Sequence, residues 1–169
     1  MAARGQKKRL ALDTNLLFDL AAENDFAHTF REVYLERGYS LAVPPTAIQE
    51  LAYCALEKQS PETPLAAKAL QQMRAWCLAP FDLKSVGHGI TEQFSQRLMR
   101  IGLLPEGEFN DGLILAETAL AEIPVLVTSD TDLLDIEEIP LRVQFEESDL
   151  PPVQICHPKL LLKAVLPKR

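Results

Sequence analysis

Cysteine is scarce and poorly spaced for chemistry. Cys54, Cys77 and Cys156 are three in number, with no CxxC pair among them. That excludes a disulfide scaffold and suits buried thiols in a reducing compartment. The three histidines, His28, His88 and His157, are scattered along the chain, so zinc lacks a ligand set. Seven glycines are spread thinly, and neither a Walker loop nor a dinucleotide loop follows any strand-like run. No stretch approaches the ~20 apolar residues of a membrane span. The basic opening MAARGQKKRLALDTNLLFDLAA is broken by Asp13 and Asp19, which argues against a signal peptide. These absences lead to the expectation of a soluble, cytoplasmic protein without a membrane partner.

Acid is what the chain has in excess. It carries 24 acidic and 17 basic residues, a net charge of −7. Arg4, Lys7, Lys8 and Arg9 open the chain, and Lys159, Lys163, Lys168 and Arg169 close it. Without those eight, residues 10–158 hold nine basic residues against 24 acids, or −15. Such a body repels nucleic acid unless divalent cations neutralise part of it. Most of the charges nevertheless have the plain reading of solvated faces and tails. At 169 residues and 47% hydrophobic composition, the chain suits one domain. A chain of this size buries roughly two-thirds of its unfolded surface and needs no covalent staple.

Strand-like and helix-like runs alternate. Residues 9–13 (RLALD), 40–44 (SLAVP), 124–129 (PVLVTS) and 153–156 (VQIC) read as strands, and LAPFDL as a weaker one. Helical spacing marks 14–22, 25–38, 45–58, 64–77, 89–101, 109–122 and 158–165. Gly38 stands where it would stop the second helix, and Pro158 where it would start the last. Residues 135–152 read as a polar stretch. Repeated strand–helix alternation predicts a three-layer α/β/α fold around a mostly parallel sheet. Such sheets bind ligands at the carboxyl ends of their strands.

Four acids should reach that rim. Asp13 ends the first strand and Asp130 follows the PVLVTS strand. Glu50 lies early in the helix after SLAVP, and Asp111 in the first turn of the 109–122 helix. Taken singly, each has a sufficient structural account as a cap, a turn or a surface residue. Taken together they repel: unit charges ~4 Å apart interact by about 4 kcal/mol at an effective dielectric near 20. Protons or a cation must offset that, and hard oxygen ligands suit Mg²⁺ or Mn²⁺. Asp132, followed by Leu133 and Leu134, stands as an alternative fourth acid and is expected to cap a short helix. Arg97 and Arg100 could contact phosphates, although solvated positions on a helix face are the plainer reading.

The segments LALDTNLLFDL, PPTAIQELA and FNDGLILAETALAEIPVLVTSDTDLL resemble the successive motifs of PIN-domain ribonucleases, including VapC-type toxins. VQICHPKLLLKAV resembles that family's last strand and helix. The resemblance spans roughly residues 9–165, leaving basic tails at 1–8 and 166–169 around a single nuclease domain. It places the family's acids on Asp13, Glu50, Asp111 and Asp130, as metal ligands and catalytic groups. It places small polar site positions on Asn15 and Thr128. It implies an endoribonuclease that hydrolyses RNA phosphodiesters with Mg²⁺ or Mn²⁺. An antitoxin partner and a homodimer go with a toxin of this type. The chain is longer than a compact toxin, with extra residues around 57–64 and 135–152. A non-catalytic PIN-like scaffold that binds RNA or protein is the competing expectation. A phosphotransferase of the haloacid-dehalogenase type is disfavoured, since Asn15 stands where a second aspartate would be needed.

Overall fold

The computed structural model describes residues 8–165. Residues 1–7 of the expected basic N-terminal tail and all of the C-terminal tail, 166–169, lie outside the described residues.

Five strands form one sheet: β1 (Arg9–Leu12), β2 (Ser40–Val43), β3 (Leu78–Pro80), β4 (Val125–Val127) and β5 (Gln154–Cys156). Their spatial order is β3-β2-β1-β4-β5, and every pairing is parallel. Among the described residues nine helices connect and cover them. They are α1 (Thr14–Ala21), α2 (Asp25–Glu36), α3 (Pro45–Leu56), α4 (Thr63–Gln72), α5 (Ser85–Arg100), α6 (Phe109–Leu120), α7 (Thr131–Leu134), α8 (Glu138–Glu147) and α9 (Pro158–Val165). The central strands are apolar on both faces, with Leu10, Ala11, Leu12, Leu41, Val43, Leu126 and Val127 all buried. Continuous burial of this kind is what helices on both sides of a parallel sheet require. The expected three-layer α/β/α architecture is the one observed.

Chain order sets the position of the site. From β1 the chain steps outward to β2 and β3, then returns to lay β4 on the other side of β1. The β1–β4 boundary is therefore the switch point, where crossovers diverge and a crevice opens beyond the carboxyl ends. Helices start there almost without loops. Asp13 is extended (φ −74°, ψ 160°) and serves as the N-cap residue of α1. Pro44 precedes α3, with Pro45 at its first position, where a missing N–H removes nothing. Asp130, also extended, precedes α7.

The structure departs from the sequence reading in four places. Residues 135–152 are not merely polar, because α8 occupies Glu138–Glu147 and buries Leu141 and Phe145. Two core residues four apart make a narrow stripe, and Pro140 sits within it, tolerated in the first turn. Helix α5 starts at Ser85, earlier than the expected residue 89, and α4 stops at Gln72 instead of running to Cys77. The β4 strand ends at Val127, one residue before Thr128. In consequence Thr128, Ser129 and Asp130 all lie on the rim.

Candidate active site

Thr128 is the hinge of the rim. Its hydroxyl donates to Asp13 Oδ2 at 2.7 Å and accepts the Asp130 amide N–H at 2.9 Å. One fully buried side chain thus links the residues that end β1 and precede α7. Below it, the Asp13 amide donates to the Val127 carbonyl at 3.0 Å, extending the β1–β4 pairing to the rim. Across the crevice, the Thr14 hydroxyl donates to Glu50 Oε1 at 3.0 Å, tying the start of α1 to α3.

Asp111 enters from the fourth side, in the first turn of α6. Close packing of the neighbouring helix fixes its position. A Cβ at Gly112 would meet the Ser95 Cα at 2.8 Å, so only glycine allows α5 this close. The Ser95 hydroxyl then donates to the Phe109 carbonyl at 2.5 Å, anchoring the start of α6 to α5.

Burial makes these acids weak. Asp13 is 2% exposed and Asp111 is 7% exposed. Burial pushes the Asp13 carboxyl up to about 6, the nearby Asp130 charge adds to the rise, and the Thr128 hydroxyl offsets part of it. Burial likewise pushes Glu50 to about 7, against the Thr14 hydrogen bond, with Asp13, Glu108 and Glu117 raising it further. Asp111 rises furthest, to about 9, through burial and then repulsion from Asp13, Asp130, Glu108 and Glu50. The four acids that the sequence picked out therefore act on one another, and no cation offsets any of the three rises.

Two further observations bear on a metal. Asp111 Oδ2 is buried and has no hydrogen-bond partner among the described residues. Yet among the described residues no three acidic, histidine or cysteine side chains are grouped closely enough to hold a metal ion. The donor set is all oxygen, which fits Mg²⁺ or Mn²⁺ and not zinc.

Other candidate residues fall as follows. Asn15 is exposed in the first turn of α1. Ser129 turns away from the acids and donates to Asp19 Oδ2 at 2.7 Å. The capping expectation for Asp132 is corrected: Asp130 caps α7, its Oδ1 accepting the Asp132 N–H at 2.9 Å, while Asp132 is exposed in the first turn. Arg97 is ion-paired with Glu147 of α8. Arg97 and Arg100 share a depression with Ser148, Asp149 and Leu150 that none of the four acids lines. Sequence reading overlooked Glu108, just before α6, which raises both Glu50 and Asp111. Its one signal was a third acid in the EGEFND run that ends in Asp111.

Comparison with known proteins fits this geometry. The PIN domain family model matches residues 10–139, most of the chain. The protein belongs to the PIN domain family. A search of curated proteins gave no match. Among solved structures, VapBC2 from Rickettsia felis, bound to a DNA fragment from its promoter, is similar with a TM-score of 0.60 and 17% identity, covering 88% of this chain and 98% of that one. VapBC-1 from nontypeable Haemophilus influenzae gives a TM-score of 0.56 at 16% identity, over 89% and 98% of the two chains. FitAcB from Neisseria gonorrhoeae gives 0.51 at 17%, over 89% and 98%. At these identities the likeness is one of PIN fold. No helix among the described residues is long and apolar enough to cross a membrane.

Proposed function

We propose that this PIN domain is a divalent-metal-dependent endoribonuclease whose single nuclease domain spans residues 9–165. The observation that carries the reading is the buried, unpartnered Asp111 Oδ2 among acids that repel it. A purely structural carboxylate at that depth would be expected to have a donor on each oxygen. In this reading Asp13, Glu50, Asp111 and Asp130 hold Mg²⁺ or Mn²⁺. When bound, such a cation would polarise the phosphodiester and lower the pKa of its water.

This chain's own residues then have distinct tasks. The Thr128 hydroxyl, with the Thr14 and Asn15 backbone N–H groups, holds the Asp13 carboxyl in a fixed orientation at the rim. Thr14 does the same for Glu50, so each carboxylate presents a fixed lone pair to the crevice. Asp130, lighter in burial and held by its cap, is the carboxylate suited to orient an attacking water. Asn15 is a polar contact for the scissile nucleotide. The Asp13–Thr128–Asp130 chain removes rotamer freedom before substrate arrives.

Two further parts belong to the same reading: a partner protein of antitoxin type, in keeping with the VapBC neighbours, and a homodimer in the cytoplasm. An antitoxin arginine reaching the acids would satisfy them in bidentate fashion. The deciding experiment incubates purified protein with a mixed RNA substrate, with Mn²⁺, with Mg²⁺ and with chelator, and identifies the product ends. Cation-dependent internal cleavage, abolished by Asp111→Asn, supports the proposal. Cleavage that survives chelation, or persists in the variant, contradicts it.

A further inference from the structure

The acidic rim continues in a basic one. Register places Leu12 beside Val127 and Val127 beside Cys156. Asp13, Thr128 and His157 are therefore the successive residues just beyond three adjacent strands. The Thr128 amide donates to the Cys156 carbonyl at 3.0 Å, so the pairing persists to this edge. With strands ~4.8 Å apart, His157 stands roughly 10 Å from Asp13 along the same rim.

Three side chains meet there. The His157 ring packs against Phe26 at 5.9 Å between centroids, and the Lys159 ammonium lies 5.0 Å from the Phe26 centroid. His157 Nδ1 accepts the Lys159 N–H at 3.0 Å, capping the start of α9. With Nδ1 accepting, the neutral ring carries its proton on Nε2 as a second donor. Lys159 is exposed and makes no ion pair among the described residues. A lysine held over an aromatic face, beside a histidine fixed by its own cap, keeps two donors in place. The nearby acid, Asp19, whose charge acts on the His157 ring, is held in place by hydrogen bonds from Ser129 and Asn24.

We infer that Lys159 and His157, braced by Phe26, form a phosphate subsite for the RNA backbone, one flanking phosphate away from the bond cut at the acids. This rests on the nuclease reading and adds the strand's direction across it: from the acidic crevice towards the β5 end of the rim. A body of −15 over residues 10–158 needs a local cation to keep a polyanion from drifting off the site. The expected Arg97 and Arg100 contacts are poorly placed for that, one paired and both lining a separate depression.

The full chain tests this with Lys159→Gln, Lys159→Glu and His157→Asn, the last keeping a capping side chain. Lys163→Gln removes the same charge one turn further along α9 and serves as the control. Affinity for a labelled mixed-sequence single-stranded RNA is read by anisotropy in an Asp111→Asn background, and KM for cleavage in the otherwise unchanged chain. Lys159→Glu should weaken both at least about tenfold, Lys159→Gln and His157→Asn by about three- to fivefold, and the salt dependence of binding should become shallower by about 0.7 per lost contact. Lys163→Gln should stay within twofold. Unchanged affinity and KM in the Lys159 variants, with the parent chain binding and cutting RNA, overturns the subsite alone. RNA binding intact while affinity for a polyglutamate peptide falls would reassign the pair to an acidic protein partner, and also overturns it. A parent chain that neither binds nor cuts RNA overturns the nuclease reading, and the subsite with it.

Discussion

Helix α6 carries two buried acids six residues apart, Asp111 and Glu117, and their surroundings could hardly differ more. Glu117, 2% exposed, has both oxygens occupied. Oε1 accepts the Thr46 amide at 3.0 Å and Oε2 accepts the Thr46 hydroxyl at 2.6 Å. Asp111, 7% exposed, has an oxygen with no partner among the described residues and is acted on by the charges of Asp13, Asp130, Glu108 and Glu50. Burial raises both carboxyls, but only Glu117 has donors pulling it back. The lesson is that depth does not distinguish a working carboxylate from a structural one. What distinguishes them is whether the fold itself supplies the donors. At Glu117 it does, clamping α6 to the start of α3; at Asp111 it supplies none to Oδ2, the oxygen to which the proposed cation would bind.

The largest expected effects break this contrast at the acids. Asp111→Asn and Asp13→Asn should each lower RNA cleavage by at least about 10²-fold, because each removes a ligand charge that the reaction needs. In metal-free buffer near pH 7, Asp111→Asn should melt at a higher temperature than the parent, since folding no longer has to protonate a carboxyl that is ionised in the unfolded chain. Glu117→Ala should do the opposite. It strands the Thr46 N–H and hydroxyl in the interior, at a cost of roughly 1–3 kcal/mol in urea unfolding. A Glu117→Ala protein as stable as the parent would mean that the clamp contributes nothing.

Acid titration sharpens the same comparison. Asp13, Glu50 and Asp111 stand at about 6, 7 and 9 in the fold, against 3.8, 4.5 and 3.8 for ordinary carboxyls. Between those values the folded state holds protons that the unfolded chain has released. Their contribution to stability is thus full below about pH 4 and is lost progressively as pH climbs through the folded values towards 9. Thermal melts of chelated protein from pH 5 to 9 should fall in step, and saturating Mn²⁺ should flatten the fall. A chelated protein whose melting temperature does not drop over that range would contradict the burial account.

Packing behind the site should have an intermediate effect. Gly112→Ala pushes a methyl into the Ser95 backbone, so α5 and α6 must part at the turn carrying Asp111. Both stability and cleavage should decline, where a pure ligand variant lowers only cleavage. The smallest effects belong to the turn after β4. Asp130→Asn keeps the α7 cap but loses a charge, so cleavage should drop with little change in melting. Asp132→Asn should change stability by less than about 0.5 kcal/mol, as expected of an exposed first-turn residue.

Much of this was readable from the chain before folding. Asp13 and Asp130 stood out because β-branched and leucine runs stop abruptly before them. Asp111 and Glu50 stood out because helical spacing begins beside them. What escaped reading depends on contacts between distant segments. The Thr14–Glu50 and Thr128–Asp13 hydrogen bonds join residues 36 and 115 apart, and no local pattern announces such pairings. Glu117 gives no local sign of its role, because its Thr46 donors lie 71 residues away in the chain. Helix α8 was missed because only Leu141 and Phe145 of its residues enter the core, too few to impose a period.

Calorimetric titration of metal-free protein with Mn²⁺ tests the central claim most directly, comparing the parent with Asp111→Asn and Glu117→Gln. The account predicts saturable binding with proton release in the parent, since carboxyls pushed up to between about 6 and 9 must deprotonate to bind. It predicts binding weakened at least about tenfold in Asp111→Asn and nearly retained in Glu117→Gln. Equal Mn²⁺ affinity in the parent and in Asp111→Asn would contradict it, because the unpartnered oxygen at the heart of the site would then be holding nothing.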